Sequence, residues 1–149
     1  MKGKNEMGNR AVITTSKKAD VANSKDIGIY LHWNGGRDSV EAFLKYCELK
    51  RYRTPSNDNY GWARLCQVIG NFFGGECSIG IDTCDHLDCN NWDNGVYIID
   101  GWEIVDRQYF DGGEQQNYPL LEMLIAIDEK QPKDEQLGEE AIKNAIANS

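Results

Sequence analysis

The residues best suited to chemistry in this sequence lie in three short segments. The first is the turn N-G-G-R at residues 34–37. Backbone N–H groups at a glycine turn and at a helix start attract anions, because both carry partial positive charge. Arg37 adds a guanidinium that can hold a phosphate through two hydrogen bonds. Gly36 and Arg37 are therefore predicted to bind a phosphate, and the alternative is a tight turn with a helix cap at Asp38 or Ser39.

The second segment is N-Y-G-W-A-R at residues 59–64. A helix start that combines glycine, aromatic rings and an arginine suits a planar base beside a phosphate. Small side chains on such a helix let a ligand or a second subunit approach the backbone closely. The predicted ligand contacts in this segment are Asn59, Gly61, Ala63 and Arg64. The alternative places Trp62 in the core and leaves the arginine as a solvated charge.

The third segment is the polar loop at residues 83–94, together with the strand that carries Arg107. The loop is long for a connection between strands, which favours a functional role. Trp92 offers a ring for base stacking, Asn94 offers amide donors and acceptors, and Arg107 offers a cation for a phosphate. These three residues are predicted to form a ligand pocket. The alternative for the arginine is a surface ion pair with neighbouring aspartates.

Groups for catalysis are scarce. The chain has two histidines, His32 and His86, and no serine or cysteine stands beside a convincing general base. We interpret His32, which follows a predicted strand, as a structural residue. The sequence therefore predicts a binding protein that is not an enzyme, with no catalytic residues and no cofactor.

The five cysteines are predicted to be free thiols. Their number is odd and no secretory signal is visible, so disulfides are not expected. The group Cys77, Cys84, His86 and Cys89 lacks the short ligand pairs of structural zinc sites. We therefore expect no metal.

Hydrophobic patterns place these segments in a small α+β domain. Strands are predicted at residues 10–15, 27–33, 78–82, 95–99 and 102–110. Helices are predicted from residue 38 or 39, at 60–73 and at 118–129. The first helix has a predicted apolar face of Val40, Phe43, Leu44 and Cys47, and the glycines at 74–75 are predicted to end the second. Along the second strand, Ile27, Ile29 and Leu31 are predicted to share one face. The dipeptide Asp100-Gly101 predicts a two-residue hairpin turn. We expect a small antiparallel sheet packed with three helices in one domain over residues 1–132, then a polar acidic tail, residues 133–149, with a short helix near 139–147.

Charge is distributed unevenly along the 149 residues. Residues 1–60 hold 11 Lys/Arg and 7 Asp/Glu, whereas residues 61–149 hold 5 and 17. The net charge of -8 and the pI near 4.7 disfavour binding to nucleic acid, because phosphates need a basic field. Opposite charge in the two halves favours attraction within the fold or across a subunit contact, and therefore a homo-oligomer. The alternative is a solvated surface with an acidic tail. No apolar run approaches a membrane span and no signal peptide is visible, so a cytoplasmic protein is expected.

Four strings in the chain resemble the first type of Thoeris anti-defence protein, found in phages and mobile elements of Firmicutes. They are MGNRAVITT, IYLHWNGGRDSVEAFLKYCELK, YGWARLCQVIGNFFGG and NGVYIIDGWEIV. The resemblance implies a small α+β protein that assembles into dimers and hexamers in the host cytoplasm. It implies binding of glyco-cyclic ADP-ribose immune signals without cleavage, and some members also bind cyclic trinucleotides of CBASS defence. The loop near Cys84 departs from related strings, which carry an aromatic residue there.

Two other classes of function stay open at this point. The string N-G-G-R-D-S at residues 34–39 is similar to the S-G-G-x-D-S loop of ATP pyrophosphatases, which implies a small nucleotide enzyme. That family needs a parallel sheet, whereas a second helix follows the first one here. The acidic C-terminal part alternatively suits a protein-binding inhibitor, such as an anti-CRISPR protein or a DNA mimic.

Overall fold

A five-stranded sheet forms the centre of the fold. The computed structural model describes residues 9–56 and 58–149. The strands are β1 (Ala11–Thr14), β2 (Ile27–Leu31), β3 (Ile79–Thr83), β4 (Val96–Asp100) and β5 (Glu103–Gln108). They lie in the order β3-β2-β1-β4-β5. The predicted α+β class is confirmed, and all five predicted strands are present.

The sheet is mixed, although the sequence predicted an antiparallel one. β1 runs parallel to β4, with Val12 opposite Val96, whereas β1–β2, β2–β3 and β4–β5 are antiparallel. The segment between β1 and β4 includes two helices and two strands. Such a long connection lets the chain return in the same direction, which a short hairpin cannot do.

Within the described residues four helices pack with the sheet: the three predicted ones and the short helix that was predicted in the tail. They are α1 (Arg37–Leu49), α2 (Asn59–Phe73), α3 (Leu120–Glu129) and α4 (Glu139–Ala147). The predicted apolar face of α1 is confirmed, because Val40, Phe43, Leu44 and Cys47 are all buried. The helices share one hydrophobic core with the sheet residues Ile13, Ile29 and Tyr97.

A second, smaller core covers the opposite face of the sheet. Side chains alternate along β1, so Ile13 enters the helical core and Val12 enters the small one. Val12, Val21, Cys84, Cys89, Val96 and Ile98 form this small core. The loops before β2 and after β3 therefore replace a helical layer on that face.

The segment 133–149 is an integral part of the domain, in contrast to the predicted polar tail. Its short helix is present as α4, and Ile142 is completely buried in the main core. The buried carboxylate of Asp128 accepts hydrogen bonds from the backbone N–H groups of Leu137 and Gly138 at 2.7 and 3.0 Å, and one from the Tyr46 hydroxyl at 2.5 Å. These bonds fix the chain just before α4.

The hairpin between β4 and β5 is present, shifted by one residue from its predicted turn. Asp100 pairs with Glu103, so Gly101 and Trp102 form the two-residue turn. No helix in the described ranges is long and apolar enough to cross a membrane.

Candidate functional site: two arginines that share one carboxylate

Arg107 is held as a rigid cation on β5. Its guanidinium carbon lies 3.9 Å from the ring centroid of Tyr97 and 3.9 Å from that of Phe110. Its Nη2 donates to the carbonyl of Asn94 at 2.7 Å, and its side chain is only 12% exposed. Stacking between two rings fixes the plane of the guanidinium, so its N–H groups point in set directions.

Arg37 faces the same carboxylate as Arg107. Its Nη1 donates to Glu114 Oε2 at 3.2 Å, and Arg107 Nη1 donates to that same oxygen. Its Nε donates to Glu41 at 2.9 Å, a hydrogen bond that contributes most to raising the pKa of the Arg37 guanidinium. The first and third predicted segments thus meet at Glu114, which lies between their two cations.

Glu114 belongs to a segment without helix or strand that follows β5, residues 111–118, which we name the strap. The strap lies over the start of α1. The carbonyl of Gln115 accepts from the N–H of Asp38 at 3.3 Å, and the carboxylate of Asp38 accepts from the N–H groups of Asn117 and Tyr118 at 2.7 and 3.0 Å. A Cβ on Gly36 would lie 2.5 Å from Gln115 Oε1 and 3.0 Å from Gln115 Cβ, so the glycine lets the Gln115 side chain pack directly on the start of α1.

The chain's own groups occupy the predicted glycine cradle. The N–H of Gly35 donates to the carbonyl of Asn9 at 2.9 Å, and the carbonyl of Gly35 accepts from the Tyr97 hydroxyl at 2.6 Å. The predicted cap at Asp38 is wrong, because α1 starts at Arg37 with Gly36 as its N-cap. The buried carboxylate of Asp38 instead anchors the strap.

A cleft of about 340 Å³ lies beside this site. Its lining combines carboxamides, aromatic rings and glycine backbone: Asn9, Trp33, Asp93, Asn94, Phe110, Gly112, Gly113, Gln115, Asn117 and Tyr118. The ring faces suit a nucleobase, which is planar, and the amides suit the hydrogen-bonding groups of a base or a ribose. Phe110 connects the cleft to the two-arginine site, because its ring also stacks on Arg107.

Asn94 lines the cleft but its amide is already engaged. Its Nδ2 donates to Asn9 Oδ1 at 2.5 Å and to the carbonyl of Arg10 at 3.1 Å. The structure therefore places Asn94 as a buried support of the cleft wall, and its carbonyl positions Arg107.

Trp92 lies outside the cleft. It is 81% exposed and has a positive φ of 67°. The long loop is closed internally by Asn91, whose amide oxygen accepts from the N–H groups of Asp93 and Gly95 at 3.1 and 3.0 Å. This buried asparagine, which the sequence analysis did not single out, gives a structural reason for the loop's length.

The four residues predicted in the second segment lie away from the two-arginine site. Asn59 is exposed at the first position of α2, and buried Gly61 packs against the backbone of Thr54. Ala63 lines an apolar groove, whereas Arg64 faces a separate groove with other arginines. These residues therefore do not share one binding surface.

The strap residue Glu114 and the ring of Phe110 were missed by sequence reasoning. The only signal was the polar, glycine-rich string D-G-G-E-Q-Q-N after a predicted strand, which could have marked a segment that folds back over a site. A carboxylate that reaches a distant arginine has no characteristic spacing in a sequence, so its pairing depends on the fold.

The remaining polar candidates have local partners. The Tyr30 hydroxyl and His32 Nδ1 lie 2.9 Å apart, which agrees with a structural role for this histidine. All five cysteines are free thiols, and burial raises the pKa of the Cys47 and Cys84 thiols. Within residues 9–56 and 58–149, no three His, Cys, Asp or Glu side chains form a group able to hold a metal.

Comparison with models of protein families, with curated proteins and with solved structures found no match to this chain.

Proposed function

We propose that the protein binds a phosphorylated cyclic nucleotide at the two-arginine site and sequesters it without cleavage. The observation that carries this proposal is the convergence of Arg37 and Arg107 on one oxygen of Glu114. Two guanidinium groups aimed at one point form a ready site for an anion. In the free protein the carboxylate of Glu114 occupies the position between the two guanidinium groups where a ligand anion would bind.

A phosphate group is a stronger partner for this pair of cations than a carboxylate. It brings more acceptor oxygens, and each guanidinium offers several donors in fixed directions. Arg107 Nε is buried without a hydrogen-bond partner among the described residues, so a donor is left for a ligand oxygen once the strap moves. Gly112 and Gly113 precede Glu114 and give the strap backbone freedom for such a movement.

The adjoining cleft supplies contacts for the uncharged part of a nucleotide. Trp33, Phe110 and Tyr118 offer rings, while Gln115 and Asn117 offer amides. The acidic group in the lining, Asp93, already accepts from Arg10 Nε at 2.9 Å. These groups are suited to bind and orient a ligand, and none of these lining residues is a nucleophile beside a general base, which favours sequestration over catalysis. We place this sequestration in the host cytoplasm.

The proposal includes assembly of the chain into a homo-oligomer, either a dimer or a hexamer. An apolar groove of about 420 Å³ lies between α2 and the β2–β3 edge of the sheet, lined by Ile27, Ile29, Trp62, Ala63, Cys66, Gln67 and Ile81. Ile27 and Ile81 are large exposed side chains in this groove. Covering such a surface with a second copy would remove apolar area from water.

The test is calorimetric titration with cyclic ADP-ribose isomers and cyclic di- and trinucleotides. Any ligand that binds is then released by heat and identified by chromatography. Arg37→Ala should weaken binding by about 1.5–3 kcal/mol, the range for a hydrogen bond to a charged group. Recovery of an intact ligand supports sequestration, and recovery of a cleaved product would show an enzyme.

Lys45→Ala is the matched control for Arg37→Ala. Lys45 lies on the same helix, pairs with Glu48 at 3.1 Å, and has nearly the same side-chain exposure as Arg37, 28% against 29%. It should leave the affinity unchanged. Absence of binding to every compound, or equal effects of the two substitutions, would refute the proposed site.

A further inference from the structure

A separate concave surface lies at the opposite end of α1 from Arg37. α1 has 13 residues, which corresponds to a length of about 20 Å. Where the chain leaves α1 and enters α2, five side chains line a groove of about 340 Å³: Arg51, Tyr52, Arg53, Tyr60 and Arg64. We name it the arginine–tyrosine groove. Its lining holds three cations and two aromatic rings, with no carboxylate among them.

The backbone sets this arrangement. The N–H of Arg51 donates to the carbonyl of Glu48 at 2.9 Å, and Arg51 has a positive φ of 60°, so the chain turns sharply after α1. Gly61 then brings the first turn of α2 against the loop, because a Cβ there would lie 2.4 Å from the backbone of Thr54. This contact places Arg51 and Arg53 beside the first turns of α2.

The cations of the groove are poorly neutralised. Arg53 Nη1 lies 3.4 Å from Asp58, and Arg64 Nη1 donates to the neutral amide of Gln67 at 2.8 Å. Arg51 has no carboxylate within 4.0 Å in the described part of the chain. In a protein with a net charge of -8, a groove with this excess of positive charge is a local exception.

The rings add a second kind of contact. Tyr60 is 58% exposed, and the guanidinium carbon of Arg53 lies 5.3 Å from its ring centroid. An exposed phenol ring beside arginines is a stacking surface for a planar base, while the guanidinium groups suit phosphate oxygens. The groove therefore combines recognition of an aromatic ring with recognition of phosphate.

We propose that the arginine–tyrosine groove binds a linear nucleotide that carries at least two phosphates, independently of the two-arginine site. The volume of the groove, about 340 Å³, is enough for one nucleotide. The acidic protein as a whole repels long polyanions, which disfavours RNA or an acidic peptide as the occupant. The three guanidinium groups would hold the phosphates, and Tyr60 would stack on the base.

The experiment is calorimetric titration of the full chain with ADP, ATP, pyrophosphate and a poly-glutamate peptide at two salt concentrations. ADP and ATP should bind, less tightly at the higher salt. Arg51→Ala and Arg64→Ala should each weaken this binding about fivefold or more, and Tyr60→Ala should weaken binding of ADP but not of pyrophosphate. The ADP titrations are made in an Arg37→Ala background, which removes the two-arginine site, so that the binding measured belongs to the arginine–tyrosine groove.

Lys18→Ala is the matched control, since Lys18 is an exposed cation outside both sites. It should bind ADP as the Arg37→Ala background does. No binding of ADP or ATP at millimolar concentration would overturn the inference, as would equal effects of Lys18→Ala and Arg51→Ala. Tighter binding of the peptide than of ADP would identify a protein partner instead and would also overturn it. Loss of ADP binding in Arg37→Ala would show that the two sites are one.

Discussion

Neutralising Glu114 tests whether its carboxylate occupies the place of a ligand phosphate. Glu114→Gln keeps the size of the side chain but removes the charge that Arg37 and Arg107 share. We expect the affinity for cyclic ADP-ribose to rise and the stability of the free protein to fall. The two changes have opposite signs because the same ion pairs stabilise the free protein and compete with the ligand.

The size of the effect follows from the exposure of the groups involved. The side chain of Glu114 is 30% exposed and that of Arg37 is 29% exposed, so solvent screens their attraction. Partly exposed ion pairs contribute at most about 1 kcal/mol each, and one of the two here is more buried. We therefore expect binding to tighten by about 1 kcal/mol, or about fivefold, with a similar loss in the free energy of unfolding.

The assay is calorimetric titration combined with urea denaturation. Asp111→Asn is the control, because Asp111 lies on the same strap and its substitution changes the net charge equally. Asp111 makes no ion pair within the described ranges. Equal tightening in both variants would indicate a long-range effect of charge, and unchanged or weaker binding in Glu114→Gln would refute displacement of the carboxylate.

Three further predictions concern Arg107, the main core and the thiols. Arg107→Ala removes the cation stacked between Tyr97 and Phe110, so we expect ligand binding to be lost and the free energy of unfolding to fall by about 1–2 kcal/mol. Arg107→Lys should recover part of the stability but little of the binding. Thermal melts measure the stability of both variants, and titrations measure their ligand binding. Ile142→Ala should cost about 2–4 kcal/mol in urea denaturation, since this side chain is fully buried, and a change below 0.5 kcal/mol would mean that α4 does not pack on the core. In the native protein at pH 8, Ellman's reagent should react fastest with exposed Cys77 and slowest with buried Cys47 and Cys89. Burial raises the pKa of the Cys47 thiol and raises that of Cys89 to about 11. Cys77→Ser should remove the fast phase of the reaction.

Much of the secondary structure could be predicted from local patterns. The spacing of Val40, Phe43, Leu44 and Cys47 predicted the buried face of α1, and the β-branched run around Ile13 predicted β1. Glycine after Phe73 predicted the end of α2, where Gly74 has a φ of 65°. These signals are readable because each arises within a few neighbouring residues, where side-chain period and backbone conformation are directly linked.

The arrangement of the candidate site was decided by the tertiary structure. Arg37 and Arg107 were each singled out from the sequence, but as members of separate pockets, and Glu114 was not singled out at all. Their meeting requires the start of α1 to lie beside β5 and the strap to fold back over it. The parallel pairing of β1 with β4 was likewise decided by the tertiary structure, because it joins strands that are far apart in the chain.

The sequence by itself determined the class of the fold, the apolar faces of its elements and the residue types suited to binding an anion. The tertiary structure decided which of those residues share a site, which one already holds an internal partner, and which, like Trp92, lie outside it. The physical reason is that hydrophobic period and turn chemistry act over a few residues, whereas an ion pair acts through space. A guanidinium and a carboxylate far apart in the chain carry no mutual signal until packing brings them together.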